Sequence, residues 1–194
     1  GFTNGTLTIE TRPSMKYLGV HFDRNLLMAK HIEETTKRAA MVMRKLTNLM
    51  PRKKGPNQKT RRIVAVSVYS ILLYAAPAWE DAVRRACHRR KLEKAQRRMN
   101  ILVSQAYRTT STAALCVVAG YPPIDLMVEG RARAHREGKE AKKRIEEEIL
   151  ATWQERWDTN VSTAQWTKTL IPDIRPWLTR GHGEVEYFLT QLLT

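Results

Sequence analysis

Apolar and polar residues alternate over one short stretch near the start of this chain and recur at helical spacing almost everywhere after it. Leu7-Thr8-Ile9-Glu10-Thr11 alternates with period two, Arg12-Pro13-Ser14 supplies a turn, and Met15 to Phe22 runs back, which predicts a β-hairpin over residues 6–23. Two strands alone are marginal, so this hairpin is expected at the edge of a sheet supplied from elsewhere. From Leu27 to Met50 the period becomes helical, with Ile32, Ala39, Val42, Leu46 and Leu49 on one face and Lys37, Arg38, Arg44 and Lys45 on the other. The basic loop Pro51 to Pro56 breaks that helix, and Asn57 or Thr60 can cap the next one, which should run to about Ala76. Beyond Arg61 and Arg62 this second helix is apolar all round apart from Ser67, Ser70 and two tyrosines. That pattern predicts a central helix covered on every side and stopped or kinked at Pro77.

A third helix is expected over residues 81–107, with Leu92, Ala95, Met99, Leu102 and Ala106 inward and Arg90, Lys94, Arg97 and Arg98 outward. Thr110-Ser111-Thr112 caps a short apolar helix to Val118, ended by Gly120 and Tyr121-Pro122-Pro123. From Ile124 to about Trp157 acidic and basic residues nearly balance on a helical pattern weakened at Gly130 and Gly138, which reads as a solvated, salt-bridged arm. The tail reads as extended segments around Trp166, Leu170-Ile171-Pro172 and Pro176-Trp177, then a closing helix from Glu184 to Leu193. The expected fold is therefore mainly α: a hairpin region over 1–24, a helical bundle over 25–122, and a helical extension over 123–194.

Charge narrows the function. The chain has 194 residues, of which 34 are Lys or Arg and 19 are Asp or Glu, a formal net charge of +15. A hydrophobic fraction of 42% is enough for a packed core. A surplus this large points to a polyanionic partner, nucleic acid first and an anionic membrane surface second. The longest apolar run, Ile63 to Ala76, falls short of the ~18–20 residues a membrane span requires, so it reads as a buried helix and the membrane expectation lapses. The two cysteines, Cys87 and Cys116, each lie in an apolar stretch and are expected to be reduced core residues of an intracellular protein. The chain opens Gly1-Phe2-Thr3-Asn4-Gly5 with neither a secretory signal nor an initiator Met, as the interior of a longer polypeptide would.

Candidate catalytic chemistry is sparse. The adjacent carboxylates Glu33-Glu34, Glu80-Asp81 and Glu146-Glu147-Glu148 fall at helix ends or on charged helix faces, and two-metal chemistry needs carboxylates converging from a sheet. The histidines are scattered, with His182 between two glycines in a flexible context. No catalytic residue, metal site or cofactor is assigned to this chain. The basic residues are more informative. From Lys37 to Arg62 there are ten Lys or Arg and no acid, and from Arg84 to Arg108 nine against the single Glu93. Solvated helix faces usually mix signs, because like charges three or four residues apart repel. Two helices with one-signed polar faces look like a phosphate cradle, with Lys37, Arg38, Arg44, Lys45, Lys53, Lys54, Arg61, Arg62, Arg90, Lys94, Arg97 and Arg98 as its candidate contacts. Few aromatics interleave with them, so contacts are expected mainly to backbone phosphates and sugars.

Lys16-Tyr17-Leu18-Gly19-Val20, Asp23 and His31-Ile32 resemble the segment of non-LTR (LINE-type) reverse transcriptases that leaves the palm through the primer grip and enters the thumb. Ser70 to Trp79 is similar to that family's apolar thumb helix. Gln96-Arg97, Ala106 to Ser111, and Ala119 to Ile124 resemble the signature that follows it. Trp153, Trp157, Leu170 to Ile174, Pro176-Trp177 and Leu189 to Leu192 resemble the stretch before the family's C-terminal zinc knuckle, and the wording looks closest to arthropod elements. The resemblance implies a parent RNA-directed DNA polymerase using Mg2+, with its paired aspartates upstream and its knuckle downstream of this sequence. This fragment would hold the RNA template, DNA primer and their hybrid against the fingers and palm, and would be inactive alone. Lys16, Tyr17, Leu18 and Gly19 would stand near the primer terminus. It further implies copying in the nucleus after a cytoplasmic phase. Two other classes remain open at this point: a stand-alone basic RNA-binding or architectural protein, and a helical oligomerisation module with Trp153, Trp157, Trp166 and Trp177 as its adhesive surface.

Overall fold

Two antiparallel hairpins open the chain, and the second is made by its own turn. In a computed structural model that describes residues 13–51, 55–181 and 184–194, together with the backbone of 2–4 and 7–9, β1 (Phe2–Asn4) pairs with β2 (Leu7–Ile9). β3 (Ser14–Tyr17) pairs with β4 (Val20–Asp23), Tyr17 standing opposite Val20. Leu18 and Gly19 join them with φ of 44° and 84°, the positive pair that a two-residue hairpin turn of the primed type uses. The single hairpin expected over residues 6–23, with Leu7–Thr11 paired to Met15–Phe22, is thus replaced by two local ones. The run Met15–Phe22 looked like one strand, but Leu18-Gly19 folds it back on itself.

Nine helices follow among the described residues: α1 (Ala29–Leu49), α2 (Gln58–Leu72), α3 (Ala86–Ser104), α4 (Thr112–Ala119), α5 (Ile124–Glu137), α6 (Lys142–Thr159), α7 (Gln165–Leu170), α8 (Ile174–Thr179) and α9 (Tyr187–Leu193). Met28, at the N-cap of α1, offers no side-chain cap. The carboxylate of Asp23, at the end of β4, accepts from Leu27 N (2.7 Å) and Ala29 N (2.9 Å) instead, tying the hairpin to the helix start. Asn57 caps α2 by accepting from Thr60 N at 3.0 Å. α2 stops at Leu72, short of the expected Ala76, because Ala75 turns the chain with φ 51° into two 3-10 turns at Ala76–Ala78 and Glu80–Arg84. Gln58–Ala78 is long and apolar enough for a membrane span, yet it bends at this turn, begins with Lys59, Arg61 and Arg62, and buries Ala65, Val68 and Leu72.

α1, α2 and α3 close the first core around Ile32, Ala39, Met43, Ala65, Val68, Leu72, Leu92, Met99 and Val103, with Trp79 beneath. The expectation that α2 is covered on all sides fails. Two partner helices can shield only part of its girth, and Ile63 (73% exposed) and Val66 face outward.

The chain has a second core where a solvated arm was expected. Ile145, Ile149, Trp153 and Trp157 recur every four residues along α6 and pack with Cys116, Val117, Ile171, Ile174, Val185 and Leu193. Gly130 of α5 lies against Ile149, where a Cβ would make ordinary contact at 3.4 Å. α5 bridges both cores, sending Ile124 and Val128 to the first and Leu126 to the second. The outer faces of α5 and α6 carry the expected ion pairs, Arg133–Glu148, Arg144–Glu137 and Arg144–Glu148. The tail segments expected to be extended are the short helices α7 and α8. The cysteines divide: Cys116 is buried and its thiol pKa is pushed by burial up to about 12, whereas Cys87 is exposed, against expectation, as the second residue of α3 on its outer side.

Candidate nucleic-acid interface

The cationic helices α1 and α3 run side by side in the same direction. Near their starts, Glu33 of α1 is held below the usual carboxylate range first by a hydrogen bond from Lys37, then by the charges of Lys37, Lys30 and Lys91, the last reaching over from α3. Near their ends, one guanidinium, that of Arg61, donates both to Met50 O just beyond α1 (3.3 Å) and to Leu102 O in α3 (2.9 Å). Arg38, Arg44 and Lys45 of α1 and Arg90, Lys91, Lys94 and Arg98 of α3 are exposed and form no ion pair among the described residues. The C-terminal half contrasts with this. There Asp125, Glu146, Glu147 and Glu148 are each matched to a cation on a neighbouring turn or helix. The uncompensated charge therefore concentrates on α1 and α3.

The structure sorts the residues named from sequence. Arg38, Arg44, Lys45, Arg90, Lys94 and Arg98 are all exposed on α1 and α3. Lys37 is exposed but pairs with Glu33 at 2.6 Å and Glu34 at 3.6 Å, which removes most of its value to an outside anion. Arg61 leaves the set. It is 1% exposed, and its guanidinium donates to the carbonyls of Met50, Leu102, Pro56 and Pro51, so it clamps the α1–α2 connection to α3. Its placement in the first turn of α2 read as surface because sequence alone does not show which way the preceding loop folds. Arg97 is half-buried and donates to Thr112 Oγ1 (3.1 Å) and Arg108 O (2.6 Å), fastening the α3–α4 loop. Arg62 is half-buried with its guanidinium 5.5 Å from the centre of the Tyr121 ring. Lys53, Lys54 and His182 lie outside the described residues. Lys91 was missed, although it shares the stripe of Lys94 and Arg98 at steps of three and four.

Lys16, Tyr17, Leu18 and Gly19 form the tip of the second hairpin and are all exposed, Tyr17 by 60% and Leu18 by 75%. Their position is set by the turn that follows α2. The Tyr74 hydroxyl donates to Leu18 O at 2.8 Å, and a Cβ on Gly19 would come within 3.0 Å of the Tyr74 ring, so glycine is needed there for space as well as for φ.

The adjacent carboxylates are occupied by cations: Glu34 by Lys30, Glu80 by Arg136, Asp81 by Arg84, and Glu147 by Arg175. Among the described residues no three His, Cys, Asp or Glu side chains are grouped to hold a metal ion. The tryptophans do not form a common surface. Trp153 and Trp157 are core, Trp177 is half-buried with Nε1 donating to Val117 O at 2.8 Å, and Trp166 alone of the four is exposed.

No family model matches the chain, and no solved structure does. Curated relatives do. A 115 kDa protein in the type-1 retrotransposable element R1DM of Drosophila melanogaster is 25% identical over 91% of the chain. The Retrovirus-related Pol polyproteins from the type-1 elements R1 4 and R1 2 of Nasonia vitripennis are 26% and 22% identical over 98% and 90% of it. The chain spans 21% of the first relative and 53% and 51% of the other two. The motif resemblance seen in the sequence thus extends over nearly its full length, and the chain is a homologue of the polyproteins of arthropod R1-type non-LTR retrotransposable elements.

Proposed function

We propose that this chain is the thumb and adjoining C-terminal region of a retroelement RNA-directed DNA polymerase, and that it holds the template–primer duplex on the faces of α1 and α3. The observation that carries the reading is the row of seven exposed cations without ion pairs on two parallel, adjacent helices. The charges sit on rigid, adjacent helices and have few aromatics among them, which suits the evenly spaced phosphates of a duplex read by shape. Similarity to Pol polyproteins of R1 elements supports an RNA–DNA hybrid as the natural duplex. The hairpin tip Lys16 to Gly19, held by Tyr74, is proposed to lie by the primer end. Polymerisation would belong to the whole polyprotein, with Mg2+ at carboxylates outside these residues and with copying in the nucleus.

The test is direct. Arg90, Lys94 and Arg98 changed together to Gln should weaken binding to an RNA–DNA hybrid and flatten its salt dependence by about 2–3 in log–log slope, with the melting temperature unchanged. Binding of wild-type strength by that variant would overturn the assignment of the face. Clean protein supplied with Mg2+, nucleotides and a primed template should show no extension.

A further inference from the structure

Beyond the cationic turns of α3, at the C-terminal end of that helix, a cleft of about 410 Å³ opens between the loop before α2 and the start of α9. That volume falls in the ~300–1,000 Å³ range of small-ligand pockets. Pro56 and Gln58 line one wall, Val185, Tyr187 and Phe188 line another, and Gln105 lines it from the C-cap of α3. Hydrogen bonds hold these elements together. Val185 N donates to Gln58 Oε1 at 2.8 Å, Thr190 Oγ1 to Ser104 O at 2.5 Å, and Gln191 Nε2 to Gln105 O at 3.3 Å. The last two also give partners to carbonyls that the end of α3 leaves open.

Gln105 is only 6% exposed, yet its side-chain amide has no hydrogen-bond partner among the described residues. Neither amide atom is sealed from solvent, so the group faces the open cleft with a donor and an acceptor unused. An amide so enclosed and left unpaired is costly, which marks a place that a hydrogen-bonding ligand completes. On the α9 wall the Phe188 ring is 75% exposed, and Tyr187 meets it edge-on with 5.4 Å between centroids. The charges speak against a phosphate here. The described residues lining the cleft include no lysine or arginine, whereas Glu184 and Glu186 are both exposed there. A neutral heteroaromatic ring finds an aromatic face and an amide edge together.

We propose that this cleft takes an unpaired nucleobase of the bound nucleic acid, stacked on Phe188 and hydrogen-bonded along its edge by the Gln105 amide. The donor and acceptor of a glutamine match complementary atoms on a base edge, and the ring adds a stack that every base can make. Arg98 to Gln105 spans about 10 Å of chain along α3, so a strand leaving the cationic turns reaches the cleft within a few nucleotides. The proposal rests on the nucleic-acid reading above and adds a base contact to helices that hold phosphates.

The experiment titrates wild type, F188A and Q105M at several salt concentrations with three kinds of RNA–DNA hybrid. One is blunt, one carries a few unpaired nucleotides, and one carries the same overhang without its bases. Overhangs are placed on either strand in turn. Wild type is expected to bind the base-bearing overhang about tenfold more tightly than the abasic one. F188A and Q105M are each expected to shrink that gap to about twofold or less, with blunt-hybrid binding and the salt slope unchanged, because no phosphate contact is removed. A gap that is absent in wild type, or that survives either substitution, overturns the cleft, and a steep wild-type salt slope alongside leaves the α1–α3 face standing. Salt-independent binding by wild type would instead overturn the face. A single strand carrying a fluorescent purine analogue then decides the cleft: quenching by wild type that F188A loses supports it, and equal signals from the two proteins overturn it. Should Q105M melt below the assay temperature, F188A decides, since its exposed ring belongs to neither core.

Discussion

Replacing Arg61 with Met separates a structural arginine from a phosphate-binding one. The guanidinium is buried and donates to Met50 O (3.3 Å), Leu102 O (2.9 Å) and Pro56 O (2.9 Å), with Pro51 O as a fourth acceptor. Met fills similar volume and removes the cost of burying a charge, which offsets part of the loss. The carbonyls of Pro51 and Pro56 lie in a loop where water can replace the arginine. The bond to Met50 O is fully buried and that to Leu102 O partly so, and each such acceptor costs about 1–3 kcal/mol when orphaned. With the lost clamp between the α1–α2 connection and α3, the net cost should be about 3–5 kcal/mol, a large share of the ~5–15 kcal/mol a domain of this size has. Urea melts followed by circular dichroism measure it, and hybrid titrations at a temperature where both proteins are folded give the salt slope. Arg61→Met should fall well below wild type in stability and keep the wild-type slope. A cost under about 1 kcal/mol together with a slope reduced by about one would show that Arg61 reaches phosphate and that its burial is misassigned.

The other expectations are briefer. Leu72→Ala and Ile149→Ala should each cost about 2–5 kcal/mol in the same melts, because both side chains are buried, one in each core; a mild Ile149→Ala would restore the solvated-arm picture. His31 has its pKa lowered first by burial and then by the nearby His21, so it stays neutral in the fold while an unfolded histidine takes up a proton. The unfolded state then binds more protons, and stability should fall as pH drops below about 6.5; His31→Gln should lessen the change in melting temperature between about pH 7.5 and about pH 5.5, and an undiminished change would assign it elsewhere. Arg97→Gln should lower the melting temperature where Arg90, Lys94 and Arg98 changed to Gln do not, since Arg97 alone of these four holds the α3–α4 loop; equal behaviour would remove that distinction.

Helix periodicity carried most of the first core, because α1 and α3 are amphipathic and most of their apolar stripes lie where the spacing puts them; Leu49, placed inward by spacing, is 70% exposed at the end of α1, and Met43 is buried instead. The second core was legible too, in the four-residue recurrence of Ile145, Ile149, Trp153 and Trp157, but the balanced charges between them drew the eye to the outer face. What sequence spacing could not supply was long-range closure. The burial of Arg61 depends on where the α1–α2 connection lands on α3, and the cleft at the end of α3 depends on a contact across 127 residues. Turn chemistry was the remaining loss. Leu18-Gly19 is a two-residue hairpin loop, yet Leu at positive φ is uncommon enough that the pair reads as strand. Of the candidate interface, the exposed cations of α1 and α3 followed from periodicity, while the pairing of Lys37 and the anchoring of Arg97 needed neighbours in space.

The central claim is that α1 and α3 hold a duplex by its phosphates, and the salt dependence of wild-type binding to an RNA–DNA hybrid tests it most directly. With seven exposed cations on the face, about 6–8 phosphates should be neutralised, and the logarithm of the binding constant should fall against the logarithm of salt with a slope of about −5 to −7. A slope near zero, or no binding at low salt, would contradict it.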